Sequence, residues 1–269
     1  MNVRGRLFLA SALMLFLELT LIRWLGANLL HLSYFSNIVL LASFLGIGLG
    51  FLAAKRDQGP PVWFPPLLLL VLFLVLAVPG GIDQSGSDLI YFTAVGDSAL
   101  FPPEITLGVV FVAVAAIMAG PGLLVAQCFF DLPRLEAYRW DLLGSLVGTV
   151  SFAVLSLVGA GPILWGVIVA VATMVLIPPR RHPTSVLMVG VVVLLSLGVL
   201  RGDVWSPYYR IQELRVAGAE SDGRPYEGIA VIANGVPHQA VLDLDVRLRN
   251  EPIYGLPYDR IGDREPLGD

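Results

Sequence analysis

The sequence predicts a mainly α membrane protein: about seven transmembrane helices followed by a small β-rich module. Three observations carry that prediction. Of 269 residues, 56% are hydrophobic and 14% are charged, too little charge to cover a soluble domain of this length. Mean hydropathy is +0.78, and several apolar runs reach the roughly 18–20 residues that a bilayer core requires. From residue 201 the pattern changes to polar alternation with Asn-Gly turn chemistry. The expected domains are therefore 1–200, a multi-pass bundle, and 201–269, a strand module.

Apolar runs place helices at 7–27, 34–54, 63–78, 105–130, 142–158, 163–177 and 184–200. The first follows Arg4 and Arg6, as a signal peptide would. It has no small-x-small cleavage site and carries Glu18 and Arg23, so it reads as a retained helix. The third and sixth are short, which suits tilted or partly re-entrant segments. Pro65 and Pro66 fit the first turn of the third, where a missing N–H costs little. Pro121-Gly122 interrupts the fourth, which is long enough to tolerate a kink. Cys128, the single cysteine, lies in an apolar run and reads as a small buried hydrophobe. It leaves no disulfide framework and no Cys-based metal site.

If the helices alternate, Arg4, Arg6, Lys55, Arg56, Arg134, Arg139, Arg180 and Arg181 share one side. The opposite loops carry no Lys or Arg, and the longest holds Asp83, Asp88 and Asp97. The positive-inside rule then puts the N-terminus in the cytoplasm. An odd helix count sends the tail outside; if the short third or sixth segment is not a full span the tail returns inside, so its side is left open.

In the tail, residues 208–216 form a plausible strand and 217–228 a polar loop. A second strand, 229–233, meets Asn234-Gly235, whose central residues both accept positive φ. Pro237 limits ladder pairing after that turn. Val241-Leu242 starts another strand or a helix, and the segment from Tyr254 onward reads as an extended connector.

Ionisable groups inside membrane helices are costly enough to be candidates by default, which singles out Glu18, Arg23 and, at the head of the fifth helix, Asp141. Glu18 and Arg23 project about 140° apart on one helix, so each is expected to face a different neighbour. The Gly-rich stretches at 44–50 and 141–148 read as close helix packing. His31, His182 and His238 show no metal-ligand spacing, no Gly-x-Ser-x-Gly elbow or nucleotide fingerprint occurs, and no basic surface suits nucleic acid. The remaining cluster is Trp205, Tyr208, Tyr209, Asn234, His238 and Gln239. Trp205 reads as an interfacial belt residue. The others combine rings with amide and phenol groups, a set able to hold a polar ligand with an apolar part.

Several of these motifs together resemble the membrane-fused bacterial members of the spermidine-synthase-like (aminopropyltransferase) family. They are Ser206-Pro207-Tyr208-Tyr209-Arg210-Ile211, Asn234-Gly235-Val236-Pro237-His238-Gln239 and Tyr254-Gly255-Leu256-Pro257-Tyr258. In the bundle they are Glu18 with Arg23, Phe44 through Gly50, and Asp141 through Gly148. The resemblance implies aminopropyl transfer from decarboxylated S-adenosylmethionine to an amine in the complete family enzyme. It implies Tyr208, Tyr209, His238 and Gln239 as wall residues for substrate or cofactor. Soluble relatives carry Gln where this chain has Tyr209, whereas Gln239 matches the family's Gln after the Asn-Gly turn. The family's Rossmann-like catalytic half is expected to be absent from 1–269, leaving no catalytic residue and no cofactor bound by this chain alone. Expected partners are the lipid bilayer, a polyamine or nucleoside thioether and a second copy of the chain. The alternative expectation is a multi-pass carrier or scaffold for polyamines or other small polar solutes, with Glu18, Arg23 and Asp141 along a polar path.

Overall fold

A computed structural model describes residues 2–29, 32, 37–77, 103–178, 183–200, 202–219, 225–242, 248 and 252–256. Arg180, Arg181, the three loop aspartates, His31, His182, Tyr34, Pro257 and Tyr258 lie outside them. Among the described residues seven helices appear: α1 Val3–Asn28, α2 Asn37–Ala53, α3 Phe64–Ala77, α4 Pro103–Phe129, α5 Arg134–Leu157, α6 Pro162–Leu176 and α7 Thr184–Leu200. Three of these are long and apolar enough to cross a membrane: α1, α4 from Ile105, and α5. The other four have 14 to 17 residues, or roughly 21–26 Å of helix, against a hydrocarbon core of about 30 Å. Length therefore supports three spans, where the sequence suggested about seven.

Two helices start a full turn or more ahead of their apolar runs. Asn2 caps α1 by accepting from the Gly5 N–H at 2.8 Å, which draws a polar turn into the helix. The α5 helix gains two charged turns, Arg134 to Asp141, ahead of its apolar part. Pro65 and Pro66 do occupy the first turn of α3, and α4 continues through Pro121.

Helix α1 is the hub, packing against α2, α3, α4, α5 and α6. Buried residues surround its axis, from Leu7 through Leu17 and Leu21 to Leu25, as expected for a helix with no polar face. Its contacts with α5 climb in step. Phe8 meets Trp140, a Cβ on Gly148 would reach the Ala12 carbonyl at 2.3 Å, and the Phe16 and Phe152 rings are 5.5 Å apart. The two helices thus run parallel. So do α2 and α4, where a Cβ on Gly46 would lie 2.1 Å from the Ala115 oxygen and one on Gly50 2.4 Å from that of Ala119. Both glycine stretches serve close backbone approach. The outer surface is apolar; Leu52, Val112, Leu146 and Val186, for example, are exposed.

Four antiparallel strands follow in sequence order: β1 Val204–Trp205, β2 Arg210–Ala219, β3 Pro225–Ala233 and β4 Val236–Leu242. Strands β2 and β3 pair throughout, from Ile211 opposite Ala233 to Ala219 opposite Pro225, so both continue into the expected loop. The β3–β4 turn has φ of 51° at Asn234 and 81° at Gly235, the positive values a two-residue hairpin needs. Pro237 is accommodated by a register shift at Val231/Ile232, the usual use of a bulge. Residues Pro252–Gly255 form a 3₁₀ turn, so the expected extended connector does not start at Tyr254; its remainder from Pro257 lies outside the described residues. Asn234 also accepts from the Arg210 N–H at 2.9 Å. Asn234→Ala should destabilise the protein by about 1–3 kcal/mol through left-handed backbone and a lost acceptor; thermal melts followed by circular dichroism measure it.

The sheet sits where α1 ends. A Schellman cap closes α5, with Ala160 N–H donating to Leu155 O at 2.8 Å and Gly159 N–H to Ser156 O at 3.1 Å. Gly159 has φ of 72° and lies beneath the Trp205 carbonyl. The opposite end of the bundle holds the ion pairs Arg4–Glu136 and Arg56–Asp131. Basic loops and sheet therefore occupy opposite ends.

Candidate functional site at the junction of bundle and sheet

The side chains best arranged for a specific task join α1, α6 and β1. Arg23, near the end of α1, donates through Nη2 to the Ser206 carbonyl. Its guanidinium carbon lies 4.9 Å from the Trp165 ring centroid and 5.5 Å from that of Trp205. The two indoles meet edge-on at 5.1 Å, and Phe152 packs on Trp165 at 5.2 Å. Both tryptophans are buried, Trp165 completely. A cation flanked by desolvated indole faces gains about 2 kcal/mol. Trp205 is therefore packed into the joint, which corrects its reading as a belt residue: the β1 turn carries it inward over the α5 cap.

A second polar layer lies beside the first. Asp203, with a side chain 1% exposed, sits 3.7 Å from Arg210 Nη1 and accepts from Gln212 Nε2 at 2.7 Å. Arg210 also donates to Asn28 Oδ1 at 2.7 Å, and Asn28 donates to the Trp24 carbonyl at 2.7 Å. Charge is thus compensated within the layer, and the last turn of α1 is tied to β2.

The sequence-selected residues fall into separate places. Tyr208 and Tyr209 form the β1–β2 turn, with ring centroids 6.4 Å apart. Ser206 closes that turn, its N–H donating to the Tyr209 carbonyl and its Oγ accepting from the Tyr209 N–H, both at 2.9 Å. The two rings are 79% and 54% exposed. His238 and Gln239 are exposed on β4, where Gln239 faces Val231, itself opposite Glu213. Strand β3 thus lies between the two pairs. They stand roughly 13 Å apart along the strands and roughly 10 Å across them, so the sheet does not gather them into one wall.

The intramembrane groups are also dispersed. Asp141 accepts from Ser11 Oγ at 2.6 Å, fastening α5 to α1. Glu18 is 3% exposed, and its Oε1 has no hydrogen-bond partner among the described residues. Asp141→Leu should cost about 1 kcal/mol of stability and Asp141→Asn less, because the amide keeps an acceptor; the same thermal melts decide this.

Sequence reasoning missed Trp165, Asp203, Gln212 and Asn28. Asp203 and Gln212 flank the Trp205 and Tyr208 motif closely enough to have been weighed with it. Trp165 gives no local signal, since a tryptophan in an apolar helix reads as core. Comparison of the chain with family models, curated proteins and solved structures finds no match.

Proposed function

We propose that the chain is the membrane-embedded, strand-bearing part of a spermidine-synthase-like protein, with the bundle acting as a rigid mount for the synthase-like module. The observation that carries this reading is the contact between Arg23 and Ser206. One belongs to the Glu-x-x-x-x-Arg of the first helix and the other opens Ser-Pro-Tyr-Tyr, so two motifs that carry the resemblance form one joint across 183 positions. The Asn-Gly hairpin between β3 and β4 supports the reading further.

In this account all seven helices lie in a bacterial inner membrane, the four shorter ones tilted or partly re-entrant. The basic end faces the cytoplasm by the positive-inside rule; transfer from a cytoplasmic sulfonium donor requires the sheet on that same side, so the side of the sheet stays open in this account. In the complete family enzyme an amine nitrogen attacks the methylene carbon next to the sulfonium. The C–S bond breaks, methylthioadenosine leaves, and the amine gives up a proton. Of the residues that the resemblance implies as walls, Tyr208 with Tyr209 and His238 with Gln239 would each meet substrate or cofactor only as separate pairs, since β3 lies between them.

The test uses the native protein in its own membranes, given putrescine and decarboxylated S-adenosylmethionine labelled in the aminopropyl group. Labelled spermidine and methylthioadenosine should form in equal amounts. A folded native protein that yields neither would overturn the reading.

One observation favours a second reading. Glu18 is buried, and its Oε1 has no hydrogen-bond partner among the described residues, as in a carrier for amine cations. Polyamine uptake by proteoliposomes, abolished in Glu18→Gln, would support a carrier; absence of uptake would dismiss it.

A further inference from the structure

The joint is unusually rich in donors. Arg23 Nε and Nη1, Trp165 Nε1 and Trp205 Nε1 are all buried, and none has an acceptor among the described residues. They belong to three side chains in mutual contact around one guanidinium. Four orphaned N–H-bearing atoms in one cluster are rare, because a buried donor without an acceptor has lost its hydration with nothing in return. The indole faces compensate the charge of Arg23 but leave its N–H groups unused.

The nearby acids do not answer this demand. Asp203 is engaged by Arg210 and Gln212, and among the described residues Arg23 donates only to the Ser206 carbonyl. Glu18 lies five positions away on α1, about 140° around the axis. Arg23 itself is half-buried, so its side chain reaches the surface near the end of α1, the depth at which a spanning helix meets headgroups, while the four donor atoms are covered. A guanidinium beside two indole N–H donors suits a compact oxyanion with several acceptor oxygens.

We infer that Arg23, Trp165 and Trp205 form a binding site for a phosphate group, carried by a phospholipid headgroup or by free phosphate, at the junction of bundle and sheet. The anion completes the donors and bridges α1, α6 and β1. This site is independent of the synthase reading, because it needs neither an amine nor a nucleoside.

The test takes the full chain, delipidated in detergent, and titrates it with phosphatidylglycerol or with inorganic phosphate. Native mass spectrometry counts bound lipid, and thermal shift reads the phosphate arm. Arg23→Gln removes the charge. Trp165→Phe removes one N–H while keeping a ring, and serves if Arg23→Gln does not fold. One tightly held phosphatidylglycerol per chain, weakened about tenfold to a hundredfold in the variants and not displaced by inorganic phosphate, identifies a headgroup. Stabilisation of the wild type by inorganic phosphate, lost in the variants, identifies the free ion. Failure of both to bind the wild type, or equal binding by folded variants, overturns the proposal.

Discussion

Leucine in place of Gly46 is expected to prevent assembly of the bundle. A Cβ there would lie 2.1 Å from the Ala115 oxygen and within 2.9 Å of two further Ala115 backbone atoms. Backbone of a packed helix cannot turn aside as a flexible side chain can. Helix α2 would have to leave α4, losing the contacts that Gly50 and Gly122 also make at this seam. The cost should reach about 3 kcal/mol or more, the upper range for overpacking. Gly48 supplies the control on the same helix, since a Cβ there meets nothing within 4 Å. Gly48→Ala should leave the melt unchanged or raise it slightly, because alanine favours the helix. Thermal unfolding of both variants in one detergent decides the matter; equal melts would refute the packing role of Gly46.

Removal of the Trp165 ring is expected to have the second largest effect. This side chain is fully buried and touches Phe152, Arg23 and Trp205. Trp165→Ala should cost about 3–5 kcal/mol and should also loosen the sheet, since β1 loses its main apolar anchor. Limited proteolysis should then cut within 202–219 before the bundle is attacked. Tyr208→Ala, at a ring 79% exposed, should change neither reading by a measurable amount. If Trp165→Ala left the sheet as resistant as in the wild type, the joint would not hold it.

These effects bear unequally on what could be read from the residues. Apolar runs locate every helix, because burial in lipid or in a bundle imposes one composition along a whole element. They mislocate the start of α5, since the two turns from Arg134 to Asp141 are charged yet held by helical backbone and by the Ser11–Asp141 bond. The Asn234-Gly235 turn was legible because only few residues accept its backbone angles. Extension of β2 through Ala217-Gly218-Ala219 was not, as these residues have weak strand preference and pair only because β3 runs opposite them.

The site shows the same division. Arg23 stood out because a charge in a membrane helix demands a partner. Its partners come from α6 and β1, 142 and more positions away, and no local pattern announces them. Tyr208, Tyr209, His238 and Gln239 were grouped by chemical type. The strand order decides their neighbours, and it inserts β3 between the pairs.

The account depends most on the sheet being locked to the end of the bundle opposite the basic loops. The direct measurement is the distance between spin labels at Leu52→Cys and Tyr208→Cys in nanodiscs. Both positions are exposed, at 86% and 79%, and the single native cysteine, Cys128, is buried. A single narrow distribution centred at roughly 40 Å, about the length of α1, is expected, broadening when Arg23→Ala is added. A distribution below about 20 Å, or one already broad in the unaltered joint, would contradict the Arg23 clamp and the function built on it.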